Sequence, residues 1–257
     1  MVRYLLIFGL LTSTSALAAD MSDHSAPSAT DWSGFYLGAF VGSISSDGEA
    51  NRGAYGGPLL TLDVQNGLFP ASIDNMTTRF SGGVSAGYNR QYGRFVTGLE
   101  ADVTFNDLNA VSFFSRVDPN PNPPFTGQDT NTSYQTDFGT IATARIRGGV
   151  TFDRTLIFAS AGAAVGKVTN RFTLDLPGLG YSSPGWSAES TEWGYAIGVG
   201  VEHRLTDRVG VKLEALHVDL GDTVVNAVDN VTFPGETISY HFKNQTLLGR
   251  VGLYVAF

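Results

Sequence analysis

Cysteine is absent from the 257 residues, which excludes disulfide bonds, thiolate metal sites, iron–sulfur clusters and cysteine nucleophiles. Charged residues make up only 16% of the chain, against about 25% in ordinary soluble domains. The formal charge is -8 without any basic block, which argues against binding to nucleic acid or docking on anionic lipid. No stretch holds 18 consecutive apolar residues, so the sequence does not predict helices that span a membrane.

The N-terminal residues have the order of an export signal. Arg3 precedes the apolar run Tyr4–Leu11, and Ala16-Leu17-Ala18 offers a small-x-small cleavage site. The apolar run is too short for a retained anchor, since spanning a bilayer takes about 20 residues. We therefore expect a cleaved signal peptide over 1–19, a flexible polar leader over 20–31 and a folded domain over 32–257.

The remaining chain is rich in glycine (31 residues) and alternates with period two, which is the pattern of β-strands. Most of these segments reach the 9–11 residues that a tilted membrane strand needs. The predicted strands are Gly34–Ser45, Thr78–Arg90, Phe95–Leu108, Phe138–Phe152, Thr155–Val168, Thr191–Arg204, Val209–Asp219 and Lys243–Phe257.

One face of these strands is apolar and the other combines small residues with charges. In the third segment Phe95, Leu99 and Phe105 share one side, whereas Glu100 and Asp102 lie on the other. A sandwich of soluble sheets would bury its large apolar side chains, but a barrel in lipid turns them outward. Since an open sheet edge is costly in hydrocarbon, the sheet is predicted to close.

The predicted connections alternate between 2–4 residues and about 22–32 residues, the longer ones covering 46–77, 109–134, 169–190 and 220–242. Tight turns at one rim and long loops at the other are typical of outer-membrane barrels. The sequence thus predicts an all-β fold, an eight-stranded antiparallel up-and-down transmembrane barrel with short periplasmic turns and four long surface loops.

Aromatic residues near the predicted strand ends suit the interfacial girdles of such a barrel, because their rings tolerate both water and lipid. The candidates are Trp32, Phe35, Tyr36, Tyr88, Tyr92, Phe152, Trp193, Tyr195, Tyr240, Phe242, Tyr254 and Phe257.

Several motifs in order resemble the outer-membrane immunogenic or porin-opacity family of small alphaproteobacterial barrels. They include W-S-G-F-Y-L-G (Trp32–Gly38), F-D-R-T-L-I-F-A-S-A-G (Phe152–Gly162), V-K-L-E-A-L-H-V-D-L-G (Val211–Gly221) and R-V-G-L-Y-V-A-F (Arg250–Phe257). Ala215 and His217 depart from the pattern, which often has aromatic residues there. The resemblance implies an outer-membrane location, a final Phe257 read by the barrel-assembly machinery, and roles that range from envelope integrity to haem binding.

Nine charged residues are predicted to face the barrel interior, and two interpretations stay open. They form either an ion-selecting constriction or a salt-bridged plug, and the small strand number favours the plug because eight strands enclose a space that side chains can fill. The nine are Glu100, Asp102, Arg145, Arg147, Glu202, Arg204, Lys212, Glu214 and Arg250.

The four histidines are His24, His203, His217 and His241. A surface pair of His217 and His241, with Tyr240, could ligate haem iron or a metal, although isolated solvated histidines are the simpler interpretation. His217 and Asp219 lack a paired nucleophile, so an enzyme is not expected.

We therefore expect a non-enzymatic outer-membrane protein that acts in envelope integrity and as a surface antigen or contact protein. No catalytic, cofactor or metal residue is assigned. A narrow porin-like channel is the alternative, followed by a haem-binding surface protein. The expected partners are outer-membrane lipid and lipopolysaccharide, the assembly machinery through Phe257, and host or envelope molecules through the surface loops, with no nucleic acid.

Overall fold

The computed structural model describes residues 30–119, 127, 129–230 and 232–257. The predicted signal peptide at 1–19 and nearly all of the predicted leader at 20–31 lie outside the described residues. Within the described part of the chain, no helix is long and apolar enough to cross a membrane.

The described residues form ten β-strands and a single short α-helix, α1, at Pro58–Gln65. The strands are β1 (Gly34–Gly56), β2 (Ser72–Tyr92), β3 (Phe95–Asn106), β4 (Leu108–Val117), β5 (Asp129–Phe152), β6 (Thr155–Leu176), β7 (Tyr181–Ser182), β8 (Trp186–Arg204), β9 (Val209–Val228) and β10 (Thr237–Ala256).

The all-antiparallel sheet closes on itself. Its ring runs β1–β2–β3–β5–β6–β8–β9–β10 and returns to β1. Strand β4 continues beyond β3 along the same edge of β5, and the two-residue β7 pairs with the end of β6. The prediction of an all-β closed sheet is confirmed, while the chain is divided into ten strands rather than eight.

Short turns at 93–94, 153–154 and 205–208 gather at one end of the barrel, called here the turn end. The described connections at the opposite, loop end are 57–71, 118–119, 127, 177–185, 229–230 and 232–236. The predicted long loops were drawn too long there, because the strands continue well beyond the predicted bounds. For example, β1 runs to Gly56 instead of Ser45, and β10 begins at Thr237 instead of Lys243.

The loop-end parts of the strands were not predicted, because the apolar residues change there from the outer face to the inner face. Nearer the turn end the outward face is apolar, but in the extension of β10 the apolar Tyr240 and Phe242 are buried inside while His241 faces outward. The pattern used to predict the strands, with apolar residues on the outer face, therefore ends where the barrel wall leaves the lipid.

A β-bulge between Phe138 and Ile141 also reverses the phase of β5. Because side chains alternate with period two, one extra residue moves every later side chain to the other face. Phe138 is consequently buried inside with Ile141, whereas uninterrupted alternation along the strand would turn it outward on the face of Ile146.

The outward apolar residues form a band of the width of a membrane. On β10 it runs from Leu247 through Val251 to Phe257. Ten residue steps of about 3.4 Å, tilted by roughly 40°, give a height of ~26 Å, close to the ~25 Å band of outer-membrane barrels. The full length of β10 corresponds to ~50 Å, so about half of the wall stands beyond the band.

An arginine scan of matched outward valines should locate the edge of this band. Val251→Arg places a charge near the middle of the band and should cost about 2–4 kcal/mol of unfolding free energy. Val224→Arg lies on β9 opposite His241, six residues beyond the band edge at Leu247, and should cost less than about 1 kcal/mol. Urea titration in lipid vesicles measures both, and equal losses would contradict the assignment.

The aromatic girdle prediction is only partly right. Seven candidates are exposed on the outer surface, namely Phe35, Tyr88, Tyr92, Phe152, Trp193, Tyr195 and Phe257. The other five are buried inside the barrel, namely Trp32, Tyr36, Tyr240, Phe242 and Tyr254. Strand parity explains the split, because neighbours such as Phe35 and Tyr36 must point to opposite faces.

Candidate functional site

Eight of the nine predicted interior charges meet in one network, which we call the luminal charge cluster. Its four acids and four bases balance to zero net charge, and every member except the partly buried Lys212 is buried. The cluster consists of Glu100, Asp102, Glu202, Glu214, Arg145, Arg147, Lys212 and Arg250.

Neighbouring strands position part of the cluster by direct register. Glu100 of β3 lies opposite Arg145 of β5, and their side chains are 2.6 Å apart. Glu214 of β9 lies opposite Arg250 of β10, with 2.7 Å between the charged groups. Opposite charges facing one another on adjacent strands stabilise the pairing.

Other ion pairs cross the lumen and join strands that are not neighbours. Arg250 of β10 reaches Asp102 of β3 at 2.9 Å, and Lys212 of β9 reaches Glu100 at 2.6 Å. Arg147 of β5 contacts Glu202 of β8 at 2.7 Å. These bonds fill the cross-section of the barrel with paired charges.

Arg145 is the centre of the network. Its guanidinium contacts Glu100 at 2.6 Å, Asp102 at 2.7 Å and Glu214 at 2.5 Å. It also donates to the Ser160 hydroxyl at 2.8 Å. A guanidinium presents five donors in a fixed plane, which suits it to several carboxylates at once.

Aromatic rings flank the cluster, and sequence reasoning did not assign them to it. The Tyr36 hydroxyl donates to Glu100 at 2.6 Å and accepts from Arg147 at 2.7 Å. Phe158 stacks 4.1 Å from the Arg147 guanidinium, and Phe40 lies 4.4 Å from that of Arg250. Their spacing in the sequence could have placed two of them: Tyr36 and Phe40 lie two residues on either side of Gly38, so all three share the inward face of β1.

Arg204, the ninth predicted interior charge, is buried but lies apart from the cluster near the turn end. Its guanidinium stacks 5.0 Å from the Trp32 ring and donates to the Asp207 carbonyl. It therefore closes the base of the barrel rather than completing the ionic network.

The space left beside the cluster is small. A cavity of about 20 Å³ lies between Tyr36, Lys212, Glu214 and Arg250. One water molecule needs a cavity of roughly 10–15 Å³, so there is room here for about one. At this level the lumen is a packed plug, in agreement with the second of the two interpretations of the interior charges.

Further layers fill the barrel from the cluster toward the loop end. An apolar layer comes first and contains Ile44, Leu108, Phe138, Ile141, Val168, Leu216 and Leu248. A chain of hydrogen bonds follows, from Asn75 through Thr136, Asn170 and Asn244 to Thr223. An aromatic layer built around Tyr134, Phe172, Tyr240 and Phe242 then lies beneath α1.

Helix α1 lies over this aromatic layer and was missed inside a predicted loop. Pro58 occupies its first turn, where a missing backbone N–H costs nothing. The Glu236 carboxylate accepts the backbone amides of Leu59 at 3.2 Å and Leu60 at 2.8 Å, which caps the helix from a distant part of the chain.

The candidate haem ligands are not brought together. His217 pairs with Leu247 in the ladder, and His241 lies six residues earlier on β10, ~20 Å away along the strand. Tyr240 is buried inside, whereas His241 faces outward. His203 hydrogen-bonds Thr155 at 3.0 Å, and His24 lies outside the described residues.

The candidate catalytic pair is not assembled either. The Asp219 carboxylate accepts from Tyr195 at 3.2 Å, Gln245 at 2.8 Å and the backbone amide of Gly221 at 2.8 Å, rather than from His217. Across the described ranges, no group of three or more histidine or acidic side chains could hold a metal ion.

Comparison with known proteins agrees with this architecture. The family model described as outer membrane protein beta-barrel domain matches residues 6–252. The 31 kDa outer-membrane immunogenic protein of Brucella melitensis is 30% identical over 238 residues, 89% of this chain and 90% of the relative. The 22 kDa outer membrane protein of Rhizobium leguminosarum bv. viciae is 27% identical, covering 74% of this chain and 65% of the relative.

Among solved structures, the fold is similar to that of the outer membrane protein OprG from Pseudomonas aeruginosa, with a TM-score of 0.51 at 11% identity. The match covers 88% of this chain and 96% of that one. Sequence and fold therefore agree, and this chain belongs to the outer membrane protein β-barrel domain family, whose members lie in the outer membrane.

Proposed function

We propose that this outer-membrane protein is a closed, non-conducting barrel that serves envelope integrity and presents its loop end as a surface antigen or contact site. The filled lumen carries the proposal. A charge-neutral cluster crosses the whole section, with an apolar layer above it and a cavity for about one water beside it. Porins with a water-filled channel have about 16–18 strands, whereas eight strands enclose a space that side chains can fill.

Single-channel recording tests this proposal. The refolded mature chain, inserted in a planar bilayer and shown to be folded by its heat-dependent gel mobility, should give no discrete conductance steps. A general porin under the same conditions is the control for insertion. Reproducible steps whose ion selectivity changes with Lys212→Gln would overturn it and favour the narrow porin, since Lys212 is the most exposed member of the luminal charge cluster.

The orientation of the barrel in the outer membrane is part of the same proposal. With short turns in the periplasm, the extended wall and α1 stand outside the cell, beside the lipopolysaccharide headgroups. A related protein from Brucella melitensis carries the word immunogenic in its name, which supports a surface role for this end of the chain.

We assign the turn end to contact with the assembly machinery. The C-terminal Phe257 has an exposed side chain, and its backbone amide donates to the Phe35 carbonyl at 2.9 Å, which extends the β1–β10 pairing to the last residue. An exposed terminal aromatic beside a paired strand gives the machinery a defined signal to bind.

A further inference from the structure

A partly open apolar pocket lies at the loop end, between α1 and the tops of β6, β8, β9 and β10. Its volume is about 90 Å³. Aromatic rings form much of its wall, with Phe172 and Trp186 stacked at 5.8 Å and Tyr181 against Phe233 at 5.1 Å. Since an apolar cavity of about 150 Å³ accepts benzene, one ring fits here when part of it projects through the open side.

The charges at this pocket have one sign. Its wall contains Asp63, Asp118, Asp229 and Glu236. Among the described residues, no lysine, arginine or histidine lines it. Two bases lie nearby, since Arg52 donates to the Phe69 carbonyl and Arg116 to the Gly67 carbonyl. The four acids outnumber them, so a cationic guest is favoured over an anion such as a lipid phosphate.

The acidic groups differ in what they already bind. Asp229 accepts the Tyr181 hydroxyl at 2.7 Å, and Glu236 caps α1. Burial, together with the nearby carboxylates of Asp118 and Glu236, raises the pKa of Asp63 to about 6. At pH 7.5, above that value, the half-buried Asp63 is thus ionised, and its carboxylate can pair with a cation.

From this arrangement we propose that the loop-end pocket binds a small organic cation with an apolar body, an aryl- or alkylammonium ion. The apolar part packs against the aromatic wall, and the ammonium group pairs with Asp63 at the mouth. A bare metal ion does not fit, because the described acidic side chains form no group able to hold one. This inference goes beyond the proposed function and does not depend on whether the lumen conducts.

Three ligands that share a phenylalkyl body but differ in charge test the proposal. Phenethylamine, 2-phenylethanol and 3-phenylpropionate are titrated at pH 7.5 by ligand-observed NMR against the folded chain in lipid nanodiscs, with empty nanodiscs subtracted. Phenethylamine should bind at least about tenfold more tightly than the alcohol, and the propionate should bind weakest. Equal affinities, a preference for the anion, or no binding by any of them would overturn the proposal.

Two pocket variants and one control variant test whether phenethylamine binds in this pocket. Asp63→Asn should weaken phenethylamine about tenfold and leave 2-phenylethanol unchanged, because it removes the charge and keeps the shape. Asp74→Asn is the matched control, since Asp74 is an exposed acid outside the pocket wall. Ala227→Phe, which fills the cavity from β9, should weaken both ligands. An equal loss in Asp74→Asn would show general surface attraction and overturn the site.

Discussion

Arg145→Leu should lower the free energy of unfolding of the barrel by about 3–5 kcal/mol. Removing one partner of a buried ion pair leaves the other charge without compensation in a medium that solvates it poorly. Here a single guanidinium is withdrawn from Glu100, Asp102 and Glu214 at once, and the luminal charge cluster is left with one net negative charge. Urea unfolding in lipid vesicles measures the loss.

The matched control is Arg154→Leu. Arg154 pairs with Asp207 at the same 2.6 Å, but both side chains are substantially exposed at the turn end. Exposed pairs contribute about 0–1 kcal/mol, so this variant should remain close to the parent. Adding Asp102→Asn to Arg145→Leu restores neutrality and should recover part of the loss. Similar losses in Arg145→Leu and Arg154→Leu would contradict a burial-dependent role for the cluster.

Gly162→Val should prevent folding or cost more than about 4 kcal/mol. A Cβ at this inward position of β6 would overlap the carbonyl oxygen of Ala144 and lie 2.6 Å from the Cα of Arg145. Overpacking by a side chain usually costs about 1–3 kcal/mol, but here the obstacle is the backbone of the neighbouring strand, which cannot rotate away. The heat-dependent gel shift reports the folded fraction.

Gly148→Val provides the comparison on the adjoining strand. Gly148 of β5 faces outward, and a Cβ there would meet no atom within 4 Å. The variant should fold as well as the parent, because a β-branched side chain suits both a strand and lipid. If both valine variants fold equally, close strand approach is not the reason for glycine at 162.

Much of the fold could be predicted from the period-two pattern, because lipid imposes a strong constraint on the outward face. The starts of β1, β3, β6 and β9 were placed correctly for this reason. Beyond the apolar band the constraint disappears, and the wall continues with apolar residues inside. Helix α1 was missed because it is held by long-range contacts to Glu236 rather than by an amphipathic pattern.

The luminal charge cluster was also visible as residue types on one face of each strand, since Glu100, Arg145 and Glu214 alternate against apolar neighbours. Which acid meets which base could not be read, because the pairs that cross the lumen depend on the shear and radius of the closed barrel. The loop-end pocket could not be foreseen for the same reason: Asp63 and Trp186 approach one another only through closure.

The contacts of Arg250 affect the register in which β10 pairs with β1 when the barrel closes. This residue lies on the last strand and joins Asp102 and Glu214 of two other strands. A one-residue misalignment of β10 at the seam with β1 would turn Arg250 into the hydrocarbon, at about 2–4 kcal/mol, and would leave both acids without it. The ionic interior thus favours the native register between β10 and β1, because only that register completes the charge balance of the cluster.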